Sequence, residues 1–387
     1  PRWIKSDADA QDVRATLDAL LASPLGPDDA VHVALLNNRR LQAAFAELGI
    51  AAAEMAQAYR PPNPGFSFQR LSRNNALAIE RVVTLDVLAL VTLPLVAGIE
   101  DRRFERAKLR AANHVLAIAA QTRQAWYSAV AAKQTADYVA QVKDAAEAQA
   151  ELARRMAGVG NFSLLEYARE QVFYAETTAR LARARFAATA ERERLARLMG
   201  LWGGDLVALK LPGRLPELPG EPQPAEGMEA KAIAERLDIR MARAEVEGLS
   251  KSLGLTQATR FINVLEVGYL RNSDSGEPRQ TGYEISLEIP LFDFGSTNVA
   301  KAEGIYMQAV NSLADIAVDA RSAVRKTYAG YRVAYDLARH YRDEIVPTRK
   351  RIADETALRY GGMLASVFEL LADAREQIAA IIAAIEP

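Results

Sequence analysis

The stretch TGYEISLEIPLFDFG, residues 281–295, interrupts a chain that is otherwise rich in Ala, Glu, Arg and Leu. From Tyr283 to Leu291 every second residue is apolar, and the positions between them carry Glu284, Ser286, Glu288 and Pro290. This alternation predicts a β-strand with one apolar face and one face that bears carboxylates. An ordinary sheet buries such an apolar face in a core, whereas a membrane barrel turns it toward lipid.

Composition narrows the classes of function. The 387 residues include 48 basic and 49 acidic ones, so the chain lacks the cationic excess of a nucleic-acid-binding protein. There is no cysteine, which excludes disulfides and Cys-based metal sites. His32, His114 and His340 each lie in a helical pattern, and none has a residue at i+3 or i+4 with which it looks like a metal-binding pair; no G-x-S-x-G elbow occurs. We therefore predict no metal site, no cofactor and no enzymatic activity.

The most apolar stretch, residues 82–97, resists interpretation as a membrane helix. It is too short, and it contains Asp86 and Pro94. Because it is rich in β-branched residues, we interpret it as a strand. The chain opens with the polar stretch PRWIKSDADAQD, which shows no signal peptide, and we interpret residues 1–27 as an N-terminal extension.

The order helix, two strands, long helix and returning helix occurs twice, which predicts an internal duplication. Short matches support it: RMAG at 155–158 resembles RYGG at 359–362, and AREQ occurs at 168–171 and again at 374–377. The predicted first repeat spans 28–210, with strands at about 65–95 and a long helical hairpin at about 98–200. The predicted second repeat spans 228–387, with strands at about 260–292 and a hairpin at about 296–387. A proline-rich linker, 211–227, joins the repeats as an extended connector.

The predicted helices are unusually long. About 58 residues at ~1.5 Å each give a helix on the order of 85 Å, which needs lateral partners along its length. In the second repeat, apolar residues recur at heptad spacing from Val299 to Ala323. We expect Pro347 to bend this helix or to open one of its hydrogen bonds.

Five motifs stand at characteristic places in this arrangement: RMAGVGNFSLLEYAREQ (155–171), LMGLWG (198–203), RLDI (236–239), PLFDFG (290–295) and RYGGMLASVFELLADAREQI (359–378). Their order and spacing resemble the TolC-type outer-membrane efflux channel family, also called outer membrane factors. The resemblance covers nearly the whole chain from about Asp28, and Leu237 stands where the family usually has proline.

The resemblance implies a fold and a function. It implies a mainly α fold in which three protomers, a homotrimer, pool four strands each into a 12-stranded β-barrel joined to a long periplasmic α-helical barrel. It implies a passive exit duct in the outer membrane of a Gram-negative bacterium, extending into the periplasm. The expected partners are outer-membrane lipid, a periplasmic adaptor (membrane fusion) protein and an inner-membrane pump. The barrel wall would include Tyr283, Ile285, Leu287 and Ile289.

The two glycine turns would lie at the periplasmic tip. The resemblance implies adaptor contacts there by Arg155, Gly158, Gly160, Asn161, Arg359, Gly361 and Gly362. Family members often carry Asp about six residues after the turn glycine, but Leu164 and Phe368 stand at these positions. We therefore predict an apolar gate of Leu164, Met363, Leu364 and Phe368, which closes by dewetting. The alternative is that these apolar residues pack in a helical core and that the glycines only provide positive φ.

Two other functions share these patterns. A soluble periplasmic coiled-coil scaffold without channel activity would bury the apolar face of the strands in an ordinary sheet core. A type I protein-secretion outlet has the same architecture as an efflux duct, so both kinds of export stay open.

Overall fold

The structure, a computed structural model, describes residues 1–73, 76–262, 264–288 and 294–385. The chain forms two compact units, each assembled from separate parts of the sequence. The first unit comprises Pro1–Gln42, Val115–Glu226 and Arg325–Pro387. The second unit comprises Ala43–His114 and Gly227–Val324.

The N-terminal residues are helical rather than a simple extension. Helix α1 (Asp7–Leu21) begins after Ser6, whose Oγ accepts a hydrogen bond from the Asp9 N–H at 3.2 Å. The Asp9 carboxylate accepts one from the Ser6 N–H in return, which completes a capping box. The Ser-x-x-Asp spacing at 6–9 is a helix-start signal that was available in the sequence.

Two helices occupy the segment before the first strand, where the order of elements in the repeat predicts one helix from Asp28 onward. Helix α2 (Pro27–Asn37) and helix α3 (Arg39–Ala58) are separated at Asn38, whose backbone is extended with φ −66° and ψ 120°. The break frees the two asparagine side chains at 37 and 38 to contact the end of a later helix.

The first two strands are shorter than predicted. Strand β1 (Gly65–Arg73) pairs with β2 (Ala76–Asp86), and helix α4 (Val87–Gly158) begins directly afterwards. The prediction that residues 82–97 form a strand is therefore wrong beyond Asp86. The physical reason is a cap, because Asp86 Oδ1 accepts a hydrogen bond from the Ala89 N–H at 2.8 Å.

Helix α5 (Leu164–Met199) ends in a left-handed residue, Gly200, with φ +69°. Asn37 Nδ2 donates to the Gly200 carbonyl at 2.8 Å, and Asn38 Nδ2 donates to the Leu198 carbonyl at 2.7 Å. A Cβ atom at Gly200 would lie 2.6 Å from the Asn37 carbonyl oxygen. The helix end therefore requires glycine both for its backbone angle and for space.

Three helices lead to the second pair of strands. The short helix α6 (Gly204–Ala208) is held by Arg14, whose guanidinium donates to both oxygens of Asp205 at 2.7 and 3.0 Å. Helices α7 (Met228–Glu235) and α8 (Leu237–Thr259) are separated at Arg236. Leu237 is the first residue of α8, a position that suits the proline usual in the resembled family. Strands β3 (Leu265–Asp274) and β4 (Gln280–Leu287) come next.

The last long helical segment contains the interruption expected at Pro347. Helix α9 (Ser296–His340) passes into a π-helical turn (Tyr341–Ile345), which leads into α10 (Val346–Gly361). The Val346 N–H donates to the Tyr341 carbonyl, five residues back. Pro347 has no N–H to donate, and the wider π turn accommodates that loss. Helix α11 (Val367–Ile385) closes the described chain.

Residues 211–227, the predicted linker, contain no helix or strand, and the segment up to Glu226 belongs to the first unit. Tyr335 Oη on α9 lies 2.8 Å from the Pro219 carbonyl and 2.9 Å from the Gly220 carbonyl. Tyr331 Oη accepts from the Gln223 N–H at 3.0 Å, and Tyr328 Oη donates to the Gln223 carbonyl at 3.1 Å. These hydrogen bonds fix the linker along one face of α9.

Small apolar side chains build the core of the first unit. Along α4 the fully or nearly fully buried residues include Ala125, Trp126, Ala129, Val130 and Val139. The Trp126 indole N–H donates to the Leu25 carbonyl at 2.9 Å, which satisfies the one polar atom of that side chain. Among the described helices, none combines the length and the apolar character needed to cross a membrane.

Candidate functional site

The four strands form one antiparallel sheet in the order β1-β2-β3-β4, within the second unit. The registers place Tyr283 opposite Tyr269, Tyr269 opposite Val83, and Val83 opposite Phe66. Residues that are directly opposite in a ladder share a face of the sheet, so these four side chains form one row on one face. Among the described strands, β1 and β4 each have a partner on one side only.

One face of the sheet, which we call the apolar face, carries aromatic and aliphatic side chains that the chain leaves exposed. Tyr283 is 82% exposed and Ile285 is 71% exposed. An exposed apolar patch of this kind marks a surface that contacts a membrane or a partner. The large exposed apolar residues of this face are Phe66, Phe68, Val83, Leu85, Val267, Tyr269, Tyr283, Ile285 and Leu287.

The opposite face, the polar face, bears the carboxylates. They are Glu80, Asp86, Glu266, Asp274 and Glu284. On this face Gly268 is buried, and a Cβ there would lie 3.3 Å from Val82 Cγ1 and 3.4 Å from Glu284 Cβ. This crowding explains the glycine in mid-strand, because a side chain there would press against both neighbouring strands.

The predicted wall residues lie where the alternation puts them. Tyr283, Ile285 and Leu287 are on the apolar face, and Ile289 lies outside the described residues. Since this face is exposed, the sheet does not use it as a core within the chain, contrary to the scaffold alternative.

The first helical turn joins α4 to α5. The Asn161 N–H donates to the Met156 carbonyl at 2.9 Å, across the left-handed residue Gly160, whose φ is +80°. Ser163 and Glu166 then form a capping box at the start of α5. This combination reverses the chain and satisfies the free ends of both helices.

The second helical turn joins α10 to α11 with the same hydrogen bonds. The Leu364 N–H donates to the Arg359 carbonyl at 2.8 Å, and Ser366 with Glu369 forms the capping box. The left-handed residue is Met363, with φ +61°.

The equivalence of the two turns differs from the one that the motifs predict. Gly160 corresponds to Met363 and Asn161 corresponds to Leu364, so equivalent residues differ by 363 − 160 = 203 positions. The match of RMAG to RYGG, which implies 204, is therefore wrong by one residue. Leu164 corresponds to Val367 rather than to Phe368.

Glycine occupies the position with positive φ in only one of the two turns. Gly160 does so, but Gly158 and Gly361 are the last residues of helices, and Gly362 has φ −85°. The expectation that all four turn glycines provide positive φ is therefore wrong. The two turns share their hydrogen bonds and caps, and those interactions define the reversal.

The predicted gate residues are exposed in the chain. Leu164 and Leu364 are each 82% exposed, and Met363 is 94% exposed. The alternative that these three pack in a helical core of the chain is therefore wrong. The side chain of Phe368 lies outside what the structure describes.

The predicted turn arginines are paired with carboxylates one turn earlier on their own helices. Arg155 Nε lies 2.8 Å from Glu151 Oε1, and Arg359 Nε lies 3.0 Å from Glu355 Oε1. Hydrogen bonds from Arg154 and Arg155 lower the pKa of the Glu151 carboxyl to about 2. The guanidinium groups remain largely exposed, so they stay available for contact with another molecule.

A buried ion pair near these turns escaped the sequence analysis. Arg375 Nη2 on α11 donates to Glu170 Oε1 on α5 at 3.0 Å, and Glu170 is only 3% exposed. The Arg375 guanidinium also lies 4.2 Å above the centre of the Phe173 ring. Both partners belong to the repeated AREQ motif, which was the available signal. The pair joins the glutamate of one copy to the arginine of the other.

Solved structures of outer-membrane channels share this architecture. The CmeC outer-membrane channel of Campylobacter jejuni matches with a TM-score of 0.78 at 16% identity, covering 100% of this chain and 85% of that one. The outer-membrane protein VceC of Vibrio cholerae gives 0.76 at 15% identity, covering 93% and 91%. The MtrE outer-membrane channel of Neisseria gonorrhoeae gives 0.73 at 15% identity, covering 93% and 84%. No protein-family model matches the sequence, and no curated protein matches it.

These similarities establish the fold. The chain is mainly helical with a small antiparallel sheet, and it has the fold of the TolC-type outer-membrane channels. The fold class and the structural resemblance predicted from the sequence are thereby confirmed.

Proposed function

We propose that three copies of this chain form an outer-membrane channel that serves as the passive exit duct of an efflux or export system. The observation that carries this proposal is the exposed apolar face of a sheet whose edge strands, in the part of the chain that the structure describes, have no outer partner. Four strands from each of three copies would close a 12-stranded barrel, which leaves no free strand edge. Outer-membrane lipid would then cover the apolar face, including the wall residues Tyr283, Ile285, Leu287 and Ile289.

The composition of the polar face supports the same arrangement. Gly268 and the strand carboxylates lie on this face, which would become the lining of the barrel. The carboxylates of Glu80, Glu266 and Glu284 would then lie in water rather than in hydrocarbon.

The helical turns are proposed as the periplasmic end of the duct. A periplasmic adaptor protein would contact the exposed turn residues and couple the duct to an inner-membrane pump. The proposed contact residues are Arg155, Gly158, Gly160, Asn161, Arg359, Gly361 and Gly362. The exposed side chains of Leu164, Met363 and Leu364, together with Phe368, are proposed as the gate.

A matched pair of substitutions on one strand tests the membrane placement. Ile285→Arg places a charge on the apolar face, and Ser286→Arg places it on the polar face of the same strand. We expect Ile285→Arg to cost about 2–4 kcal/mol of insertion free energy and to abolish co-flotation with lipid vesicles. Ser286→Arg should float like the wild type. Equal flotation of both variants, or a detergent-free compact monomer of the wild type by native mass spectrometry, would contradict the proposal.

Conductance measurements test the gate separately from the duct. In planar bilayers, Leu364→Asp and Phe368→Asp should raise the conductance of the closed state, because a carboxylate hydrates the constriction. Leu116→Asp, at an exposed position of α4, is the control and should conduct like the wild type. Unchanged conductance in both turn variants would contradict the proposed gate without contradicting the proposed channel.

Adaptor contact is accessible to single-cysteine cross-linking because the sequence has no native cysteine. Asn161→Cys and Gly362→Cys should form cross-links to a co-expressed adaptor from the same operon. The control Phe186→Cys, at an exposed position in the middle of α5, should form none. Cross-links at all three positions, or at none, would contradict a specific contact at the turns.

A further inference from the structure

Three arginines interrupt the apolar face of the sheet. Arg81 on β2 and Arg271 on β3 are directly opposite each other in the ladder. Phe68 is opposite Arg81 on the other side, and Arg70 follows Phe68 two residues further along the same face of β1. The three cations therefore share one region of one face.

The carboxylates of the four strands all lie on the polar face. In the part of the chain that the structure describes, Arg70, Arg81 and Arg271 form no ion pair, and Arg81 only lies 5.9 Å from the centre of the Phe68 ring. Like charges that are directly opposite on neighbouring strands repel each other. An external anion on the apolar face would relieve this repulsion.

The arginines occupy a defined level of the sheet. The row of Phe66, Val83, Tyr269 and Tyr283 lies immediately on their helix side, and aliphatic residues lie beyond that row. On their other side the face continues through Ile79 and Leu77 of β2 toward the ends of the strands where β1 connects to β2 and β3 connects to β4. Aliphatic, aromatic and then cationic residues are the order in which a membrane protein meets hydrocarbon, interface and headgroups.

We propose that Arg81 and Arg271, assisted by Arg70, bind the phosphate groups of anionic lipid headgroups at the hairpin-turn side of the membrane. This inference rests on the membrane placement proposed above. Guanidinium groups are suited to the task because they stay charged and donate paired hydrogen bonds to phosphate oxygens. Two guanidinium groups on adjacent strands can hold one phosphate between them, so the anion would tie β2 to β3.

Lipid binding by the purified trimer tests the proposal. The wild type, the double variant Arg81→Gln/Arg271→Gln and a control double variant, Arg183→Gln/Arg185→Gln on α5, are reconstituted into phosphatidylcholine vesicles with and without phosphatidylglycerol. Native mass spectrometry after extraction then counts the retained lipid molecules. We expect the wild type and the control to prefer phosphatidylglycerol by about tenfold, and the Arg81/Arg271 variant to lose that preference.

The outcomes separate this inference from the membrane placement. If the wild type inserts into both kinds of vesicle but retains no excess of phosphatidylglycerol, the proposed lipid binding by the arginines is wrong and the membrane placement stands. The same holds if the Arg81/Arg271 variant keeps the preference. If inorganic phosphate displaces the lipid at equal concentration, the site binds free phosphate, and the lipid assignment is wrong. If the wild type enters neither vesicle, both proposals fail.

Discussion

The two helical turns reverse the chain with the same hydrogen bonds, but they differ in their left-handed residue and in the helix that precedes them. The first has glycine at its left-handed position, and the second has Met363. The first follows α4, which is α-helical from Val87 to Gly158 and buries Val139, Ala146 and Ala150. The second follows a π turn and α10, a fully described helix that buries none of its residues.

The difference shows what defines such a turn. Both copies keep the hydrogen bond across the turn and the Ser-x-x-Glu capping box, and only one keeps the glycine. The hydrogen bonds and caps therefore specify the conformation. Glycine removes a strain of about 1 kcal/mol that Met363 retains.

The largest expected effect comes from the ion pair that joins α11 to α5. Glu170→Ala leaves Arg375 without its buried partner and should lower the unfolding free energy by about 2 kcal/mol. The cost stays below that of a fully buried pair because the Arg375 side chain is 37% exposed. The apparent Tm of the detergent-solubilised protein measures it. Glu176→Ala, at an exposed position of the same helix, should leave the Tm unchanged, and an equal drop in both variants would contradict the role of the pair.

Substitutions at the two left-handed positions should change the unfolding free energy in opposite directions. Gly160→Ala introduces strain and should destabilise the first turn by about 1 kcal/mol, whereas Met363→Gly removes strain and should stabilise the second by about 0.5–1 kcal/mol. Gly361→Ala is the control, because that glycine is helical and has open space where its Cβ would be. It should stabilise by about 0.5–1 kcal/mol. Equal signs for the first two variants in urea unfolding would show that the two turns are not equivalent.

The capping boxes should respond alike in both turns. Ser163→Ala and Ser366→Ala each remove one side-chain acceptor at a helix start, so each should cost about 1 kcal/mol. Hydrogen exchange at the Glu166 and Glu369 amides measures the local opening directly. A loss of protection in one turn alone would mean that the second copy of the cap is dispensable.

The smallest expected effect is a local loss of stability at the end of α4 at low pH. The lowered pKa of Glu151 means that its pairing with Arg154 and Arg155 contributes fully above its ordinary value of 4.5 and is lost as pH falls toward about 2. Amide exchange in the last turn of α4 should therefore rise over that interval. The double variant Arg154→Gln/Arg155→Gln should show no such step there. A step that persists in the variant would assign it to another group.

The strand faces could be predicted because a two-residue period is visible without any tertiary information. Tyr283, Ile285 and Leu287 alternate with Glu284 and Ser286, and the sheet keeps that separation. The end of β2 could not be read in this way. The apolar run after Asp86 suits a strand by composition, and Pro94 argues against a helix, but the carboxylate cap at Asp86 begins α4 there.

The candidate sites likewise differ in whether the signal is local in sequence or depends on tertiary packing. The turn residues follow from short motifs that are local in sequence. The positive φ of Met363 does not follow from the motif. Glycines precede it in the sequence, and a sequence-based prediction would assign the left-handed position to Gly361 or Gly362. Glu170 and Arg375 each belong to a copy of the AREQ motif, but they are 205 positions apart, and that the two side chains meet follows only from the packing of α5 against α11.

The three tyrosines that hold the proline-rich linker have a consequence for the origin of the duplicated chain. A junction between two fused copies begins as a tether whose length hardly matters. Here Pro219, Gly220 and Gln223 are bonded to Tyr328, Tyr331 and Tyr335, so insertions between these points would break the spacing. If the halves were expressed as two polypeptides, with the cut placed after Glu226, the first would still carry a docking peptide for the second.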